Sequence, residues 1–199
     1  MIDDLAALRT MYAGPTPRAI NKQLDRLDPH CARFIALSPF VVVASGDDRS
    51  LDASPRGGDP GFVKVLNERT LLIPDAPGNN RLDTFTNILA SGRVGLLFLI
   101  PGVDETLRVN GAARLSDSDA LIQCFANEKR VPKLVVEVTV AEVYLHCAKA
   151  LMRSKLWHPD HRVERSVLPT AGQMISEQTG IVVPLETQEQ MAARYAKDL

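Results

Sequence analysis

The alternation of apolar and polar residues predicts a chain built mainly from β-strands. Side chains on a strand repeat every second residue, and short runs rich in Val, Ile, Leu and Phe fit buried strands. Because turns rich in Gly, Pro and Asp join many of these segments and few helices intervene, the pattern predicts a small closed or partly closed antiparallel β-barrel with peripheral helices. The predicted strands cover residues 40–44, 51–56, 62–65, 70–73, 94–100, 105–115 and 134–145.

Helical periodicity is found in shorter segments around these strands. Asp28 followed by Pro29 is typical of an N-cap and a first helical position, so a helix is expected from there to Leu37. A chain of 199 residues is long enough for one domain with a complete core. We expect a single domain with N-terminal helices at 1–37, a barrel core at 38–147, and a C-terminal segment with helices at 148–199. The other predicted helices cover residues 3–11, 17–27, 116–127 and 188–197.

The stretch from Thr70 to Ser91 combines a strand, a Pro/Gly turn and a further helix. Free N–H groups at the start of this helix, its dipole and the guanidinium of Arg81 predict an anion site suited to a phosphate monoester. The same residues also fit a well-capped helix with a solvated arginine. The expected caps are Asn79 or Asn80, the expected apolar face holds Leu82, Phe85, Ile88 and Leu89, and the expected end is Gly92.

Two other groups of polar residues extend the phosphate hypothesis. Alternation places Asp52, Ser54 and Arg56 on one face of a strand, so Ser54 and Arg56 join Asn79, Asn80 and Arg81 as candidate ligands. Nearer the C-terminus, helical spacing brings Lys149, Arg153 and Trp157 onto one face. An aromatic ring beside cations suits a flat phosphorylated ligand, although an exposed Trp157 with solvated cations is an equal alternative.

Composition and motifs argue against several other functions. The 23 basic and 24 acidic residues give a net charge of −1, so no polybasic surface for nucleic acid or membrane binding is indicated. The three cysteines are far apart and form no CxxC pair, which argues against a disulfide framework or zinc site and favours a reducing cytoplasm. No secretory signal, membrane-spanning run, GxGxxG motif or P-loop is found. The HPDH segment is interpreted as a surface loop, so no metal is expected.

Four runs of the sequence resemble the pyridoxamine 5′-phosphate oxidase-like family of FMN-binding split barrels, and within it a subgroup expected to use FMN. The resemblance implies a six-stranded antiparallel split β-barrel and a homodimer with two FMN molecules in clefts between the subunits. The runs cover most of residues 28 to 157 and read DPHCARFIALSPFVVVASG, LDASPRGGDPGFVKVLNERTLLIPDAPGNNRLDTFTNILASGRVGLLFLIPG, ETLRVNGAARLS and HCAKALMRSKLW.

The resemblance also implies roles for individual residues. Arg56 and the pair Asn80 and Arg81 match the positions that hold the FMN phosphate in the family. The full cofactor-binding set expected here is Ser54, Arg56, Ile73, Pro74, Asp75, Asn79, Asn80, Arg81, Thr106 and Arg108, with Lys149, Arg153, Ser154 and Trp157 coming from the partner subunit.

Two departures from the oxidase pattern bear on the substrate. Leu51 stands where that pattern has an arginine, and the C-terminal Arg-x-His segment is absent from the sequence QMAARYAKDL. Pyridoxamine phosphate oxidation is therefore not expected. The leading hypothesis is an FMN-dependent oxidoreductase acting on an undefined small molecule, in which no residue stands out as acid or base. The alternatives are a non-catalytic flavin carrier and a barrel adapted to deazaflavin or haem.

Overall fold

A computed structural model describes residues 1–182, 184 and 186–198. They form two compact units, Met1–Trp157 and His158–Leu199, and the expectation of a single domain stays a prediction. The strands are β1 (Phe40–Gly46), β2 (Leu51–Gly57), β3 (Lys64–Asn67), β4 (Thr70–Pro74), β5 (Arg93–Leu99), β6 (Thr106–Ser116) and β7 (Val135–His146). The α-helices are α1 (Leu5–Thr10), α2 (Pro17–Asn21), α3 (Pro29–Leu37), α4 (Asp83–Ser91), α5 (Asp119–Ile122), α6 (Lys149–Ser154), α7 (Ala171–Thr179) and α8 (Gln188–Tyr195).

The strands form one antiparallel sheet in the order β2-β1-β5-β6-β7-β4-β3. Each of the seven segments predicted from alternation overlaps one strand, and the mainly β antiparallel architecture with peripheral helices is confirmed. The count of six strands that the resemblance implies is wrong, because the sheet has seven strands, of which the short β3 lies at the edge beside β4.

The core lies against the inner face of this sheet. Alternate residues of β1 and β5, including Val43, Leu96 and Phe98, are buried there, as the strand period requires. Helix α3 covers part of this face and adds Cys31 and Ile35. Burying a side chain of this size stabilises the fold by about 1.5–3 kcal/mol, so this inner face is the main apolar contribution to stability.

A β-bulge in β7 keeps both halves of that strand facing the core. The register with β6 jumps from Asn110 opposite Glu142 to Gly111 opposite Val140, so Ala141 has no partner. Val143 on one side of the bulge and Val140 on the other are both buried, although they differ by an odd number of residues. The extra residue therefore shifts the alternation by one position, so that apolar side chains on both sides of the bulge face the core.

Several predicted helices are shorter than expected, and the segment 116–127 holds only α5 and one 3₁₀ turn. Helix α2 ends at Asn21, and the chain then runs extended along β7, where Leu24 and Val143 exchange two backbone hydrogen bonds of 2.9 Å. Helix α6 ends at Ser154, because Lys155 adopts a left-handed conformation with φ of 50°. Pairing with β7 and a single left-handed residue override the local helical pattern.

The second unit contains α7 and α8 and no candidate cofactor residue. Helix α8 begins with a capping box in which Thr187 and Gln190 satisfy each other's backbone N–H groups. Across the part of the chain that the structure describes, no helix has the length and apolar character needed to cross a membrane.

Candidate functional site

The polar face of β2 points inward rather than to solvent. Asp52, Ser54 and Arg56 are half-buried, whereas Leu51, Ala53 and Pro55 on the opposite face are exposed. The register of β2 with β1 explains this orientation, because Arg56 pairs with buried Val41 and Ser54 pairs with buried Val43. The strand thus carries a carboxylate, a hydroxyl and a guanidinium beneath a covering element.

That covering element is α4, whose inner face is also polar. Thr84 and Asn87 are buried together with Ile88, while Leu82 and Leu89 are exposed and Phe85 is half-buried. The predicted apolar face is therefore wrong at Leu82 and Leu89. The physical reason is the polar neighbour: the Asn87 side chain accepts from the Ser50 hydroxyl at 3.0 Å and donates to the Ser45 hydroxyl at 3.2 Å.

A hydrogen-bonded chain links β2 to the first turn of α4. The Thr84 hydroxyl donates to Asp52 Oδ2 at 2.6 Å and accepts from Arg56 Nη2 at 3.1 Å. The Ser54 hydroxyl donates to the same carboxylate, 2.9 Å from each oxygen. These contacts fix the Arg56 guanidinium at the N-terminal end of α4.

The start of α4 differs from the prediction. Asn80 and Leu82 are left-handed, with φ of 57° and 60°, so the helix begins only at Asp83 and neither asparagine caps it. Asn79 instead accepts the backbone N–H of Arg81 at 3.0 Å. The N-cap residue Leu82 makes no side-chain cap hydrogen bond, so the first N–H groups of α4 keep their capacity to bind an anion.

Arg81 lies next to this helix end. Its Nε donates to Asp83 Oδ2 at 2.8 Å, and that hydrogen bond raises the pKa of the guanidinium, to which the charges of Asp83 and then Asp52 contribute further. The Arg81 side chain is 71% exposed. Ser54, Arg56 and Arg81 are thus brought to one end of α4, and the cluster around them includes both Asp52 and Asp83.

The remaining predicted residues of the barrel lie elsewhere. Ile73 is buried in β4, Pro74 ends that strand, and the Asp75 N–H donates to Leu134 O at 3.0 Å. Thr106, the first residue of β6, is buried and pairs with His146 at the end of β7. Pro74 pairs with Val135 at the start of β7. Roughly 35 Å of strand separates these two positions along β7. Arg108 is exposed on the outer sheet face and donates to the Tyr144 hydroxyl at 2.7 Å.

The basic and aromatic residues after β7 do not share one helix face. Lys149, Arg153 and Ser154 belong to α6, and the Ser154 hydroxyl donates to Leu151 O at 3.0 Å. Trp157 lies beyond the end of this helix, so its predicted alignment with Lys149 and Arg153 is wrong. Its indole Nε1 donates to Val103 O at 2.9 Å, in the turn between β5 and β6.

Sequence reasoning missed two members of the cluster, Asp52 and Thr84. The alternation of β2 already places Asp52 on the same face as Ser54 and Arg56, which was the available signal. Thr84 and Asn87 are three residues apart, so they share one face of a helix, and this spacing indicates a polar inner surface. Among the described residues, no three His, Cys, Asp or Glu side chains converge on a possible metal site.

A cavity of about 440 Å³ lies at the opposite, C-terminal end of α4. Its lining includes Ala90 and Ser91 from the helix, and it carries two carboxylates as well as two arginines. The negative end of the helix dipole disfavours a phosphate there. The N-terminal cluster is therefore the better candidate for an anion. The other residues that line the cavity are Gly46, Asp47, Asp48, Arg49 and Arg93.

Comparisons with known proteins agree with this architecture. Residues 27–147 match the family model described as pyridoxamine 5′-phosphate oxidase. The structure resembles HupZ of Group A Streptococcus, with a TM-score of 0.50, 16% identity, and coverage of 60% of this chain and 93% of that one. A single-substitution variant of HupZ gives a TM-score of 0.50 at 16% identity, with coverage of 60% of this chain and 98% of the variant. A comparison with curated protein sequences gave no match. The structural likeness extends to the fold alone.

Proposed function

Because the chain belongs to the pyridoxamine 5′-phosphate oxidase family, we propose that it binds FMN, with the phosphate between β2 and the start of α4. The observation that carries this proposal is the hydrogen bond from Arg56 to Thr84, which holds a guanidinium at an uncapped helix N-terminus. Arg81 is adjacent in the same cluster. Guanidinium groups and free N–H groups are the donors that phosphate monoesters prefer.

The residues of the cluster fit such a phosphate. Arg56 offers further N–H donors from a half-buried position, and Arg81 can approach from the solvent side. The Asn79 amide belongs to the same cluster, and Ser54 contributes through the hydrogen bond that its hydroxyl donates to Asp52. FMN bound in this way supplies hydride or electron transfer at its ring system, whereas the chain supplies position and electrostatics. We propose an oxidoreductase that acts on a small molecule yet to be defined.

We further propose that the flavin site is completed in a homodimer. Ile73 to Asp75, Thr106 and Arg108 are spread over the sheet and do not meet the phosphate cluster within one chain. A second subunit offers a way to bring such groups to one ligand. In this arrangement Lys149, Arg153, Ser154 and Trp157 of the partner subunit cover the flavin.

The binding proposal is tested by comparing two flavins. Replacing Arg81 with Ala should weaken FMN about tenfold to a hundredfold, because a hydrogen bond to a charged group contributes about 1.5–3 kcal/mol. Riboflavin, which lacks the phosphate, should bind the variant as it binds the wild type. Flavin fluorescence quenching measures both dissociation constants, and Arg9→Ala in exposed α1 is the matched control.

Two outcomes would contradict the proposal. Equal losses for FMN and riboflavin would mean that Arg81 does not contact the phosphate. A colourless protein that binds neither flavin would exclude flavin binding altogether, and a haem Soret band in its absorbance spectrum would favour a changed ligand instead.

The second candidate function is a flavin carrier without catalysis. The exposure of the Arg81 side chain favours it, because a phosphate held partly from the solvent side exchanges readily. Reduction of the bound flavin by NADH or NADPH, followed by turnover with an electron acceptor, separates the two functions. An enzyme turns over many equivalents, whereas a carrier releases flavin without turnover.

A further inference from the structure

A carboxylate occupies the centre of the candidate phosphate cluster. Asp52 accepts from the hydroxyls of Thr84 and Ser54 at 2.6 and 2.9 Å. Thr84 is 2% exposed and holds Arg56 at its other side. Asp52 also acts on Arg81 through its charge. The carboxylate therefore contacts Ser54 and Thr84 directly, is linked to Arg56 through Thr84, and acts on Arg81 through its charge.

This arrangement has two consequences for an incoming anion. Arg56 and Arg81 carry two positive charges, while Asp52 and Asp83 carry two negative charges, so the cluster is close to neutral. In addition, the hydroxyl protons of Ser54 and Thr84 already point at a carboxylate and are not available to a second acceptor. A phosphate at this position can accept hydrogen bonds from the two arginines, but the net charge of the cluster attracts it only weakly.

We propose that Asp52 determines how tightly this site holds a phosphorylated ligand, and that its carboxylate keeps FMN exchangeable rather than permanently bound. The inference rests on the proposed function, because it assumes that the ligand carries its phosphate at this cluster. Asp52 acts here as a specificity-determining residue: it lowers the advantage that the phosphate gives FMN over riboflavin. The ligand class is a flavin monophosphate that is taken up and released.

The isosteric Asp52→Asn variant tests this role. An asparagine side chain keeps one oxygen for the Thr84 hydroxyl but removes the negative charge, so the cluster gains a net positive charge. The FMN dissociation constant should fall about tenfold, and its dependence on salt should become steeper. The riboflavin dissociation constant should stay unchanged, because that ligand has no phosphate. Flavin fluorescence quenching at two salt concentrations measures these constants.

Two further variants keep the test independent of folding and of overall charge. Asp83→Asn removes the second carboxylate, which is partly exposed and outside the buried hydrogen-bonded chain, and should tighten FMN in the same direction. Asp48→Asn makes the same change of net charge in the exposed turn between β1 and β2, and should leave FMN binding unaltered.

The outcomes separate this inference from the proposed function. If FMN binds the wild type but Asp52→Asn and Asp83→Asn leave its affinity unchanged or lower it, the role of Asp52 is wrong while the flavin site stands. If Asp48→Asn tightens FMN as much as Asp52→Asn does, the effect is one of overall charge and the inference is also wrong. If no variant binds FMN or riboflavin, both proposals are overturned.

Discussion

The carboxylate of Asp28 accepts the backbone N–H of Cys31 at 2.7 Å, at the start of α3. This hydrogen bond holds the pKa of the Asp28 carboxyl below its ordinary value. A lowered pKa in the folded state means that the ionised group stabilises the fold at neutral pH. That contribution is present above the unfolded pKa of about 3.9 and is lost as the pH falls through the folded pKa.

We therefore expect Asp28→Ala to lower the free energy of unfolding by about 1 kcal/mol at pH 7, as for other N-caps. The difference from the wild type should shrink as the pH falls below about 4. Asp28→Asn is the matched control, because asparagine caps helices comparably without a titrating charge. Urea unfolding at pH 7 and pH 3 measures the effect. A loss that is equally large at both pH values would show that the charge of Asp28 does not matter.

At the scale of elements, the β-bulge imposes a strict requirement on the opposite strand. A Cβ atom at Gly111 would lie 2.1 Å from Thr139 O, a backbone atom that cannot rotate away. Gly111→Ala should therefore lower the free energy of unfolding by about 3 kcal/mol, near the upper end of typical overpacking costs. Thermal or urea unfolding measures the loss.

Gly78→Ala is the control for this prediction, since a Cβ atom at Gly78 has no neighbour within 4 Å. This variant should unfold at nearly the wild-type denaturant concentration. Comparable losses in both variants would indicate that the close approach of β6 and β7 at the bulge is not what constrains Gly111.

The strands and helix α4 show which parts of the fold can be predicted from the sequence. Alternation and short apolar runs together identified all seven strands, and alternation identified the polar face of β2, because both signals lie within the strand itself. It did not reveal the bulge at Ala141, which depends on the pairing of β6 with β7. For α4, periodicity finds an apolar side but not the partner that the helix meets. Here Thr84 meets the polar face of β2, and Asn87 meets the hydroxyls of Ser45 in β1 and Ser50 just before β2, so both residues turn inward.

The candidate site was predictable to the same degree. Residue type, strand alternation and the expected helix start led to Ser54, Arg56 and Arg81, which the structure brings to one end of α4; their role as ligands stays a prediction. Asp52 was not among the predicted ligands, because a carboxylate repels a phosphate, and its hydrogen bonds with Ser54 and Thr84 are seen only in the structure. The sequence also does not predict that α4 begins only at Asp83. Two left-handed residues precede the helix, and one of them is Leu82, a residue type that rarely adopts this conformation.

At the scale of the whole molecule, the outer face of β2, β1 and β5 carries apolar residues that are exposed or only partly buried. Three rows of residues run across these strands without a charged side chain. They are Gly57, Phe40 and Leu99; Pro55, Val42 and Leu97; and Ala53, Ala44 and Gly95. Leu51 continues the patch at 93% exposure, and Arg108 borders it opposite Leu97. Contiguous apolar patches with a polar rim are typical of protein interfaces.

This face is the surface that we expect a second copy of the chain to cover. Replacing Leu97 with Asp places a negative charge in the middle row. Burying that unpaired charge in an interface costs enough free energy to prevent a dimer of ordinary size from forming. Light scattering should find a dimer for the wild type and a monomer for Leu97→Asp, which should also lose FMN if the site is shared. Leu89→Asp, on the exposed side of α4, is the control and should remain a dimer. A monomeric wild type that binds FMN stoichiometrically would contradict both the interface and the contribution of Trp157 of the partner subunit.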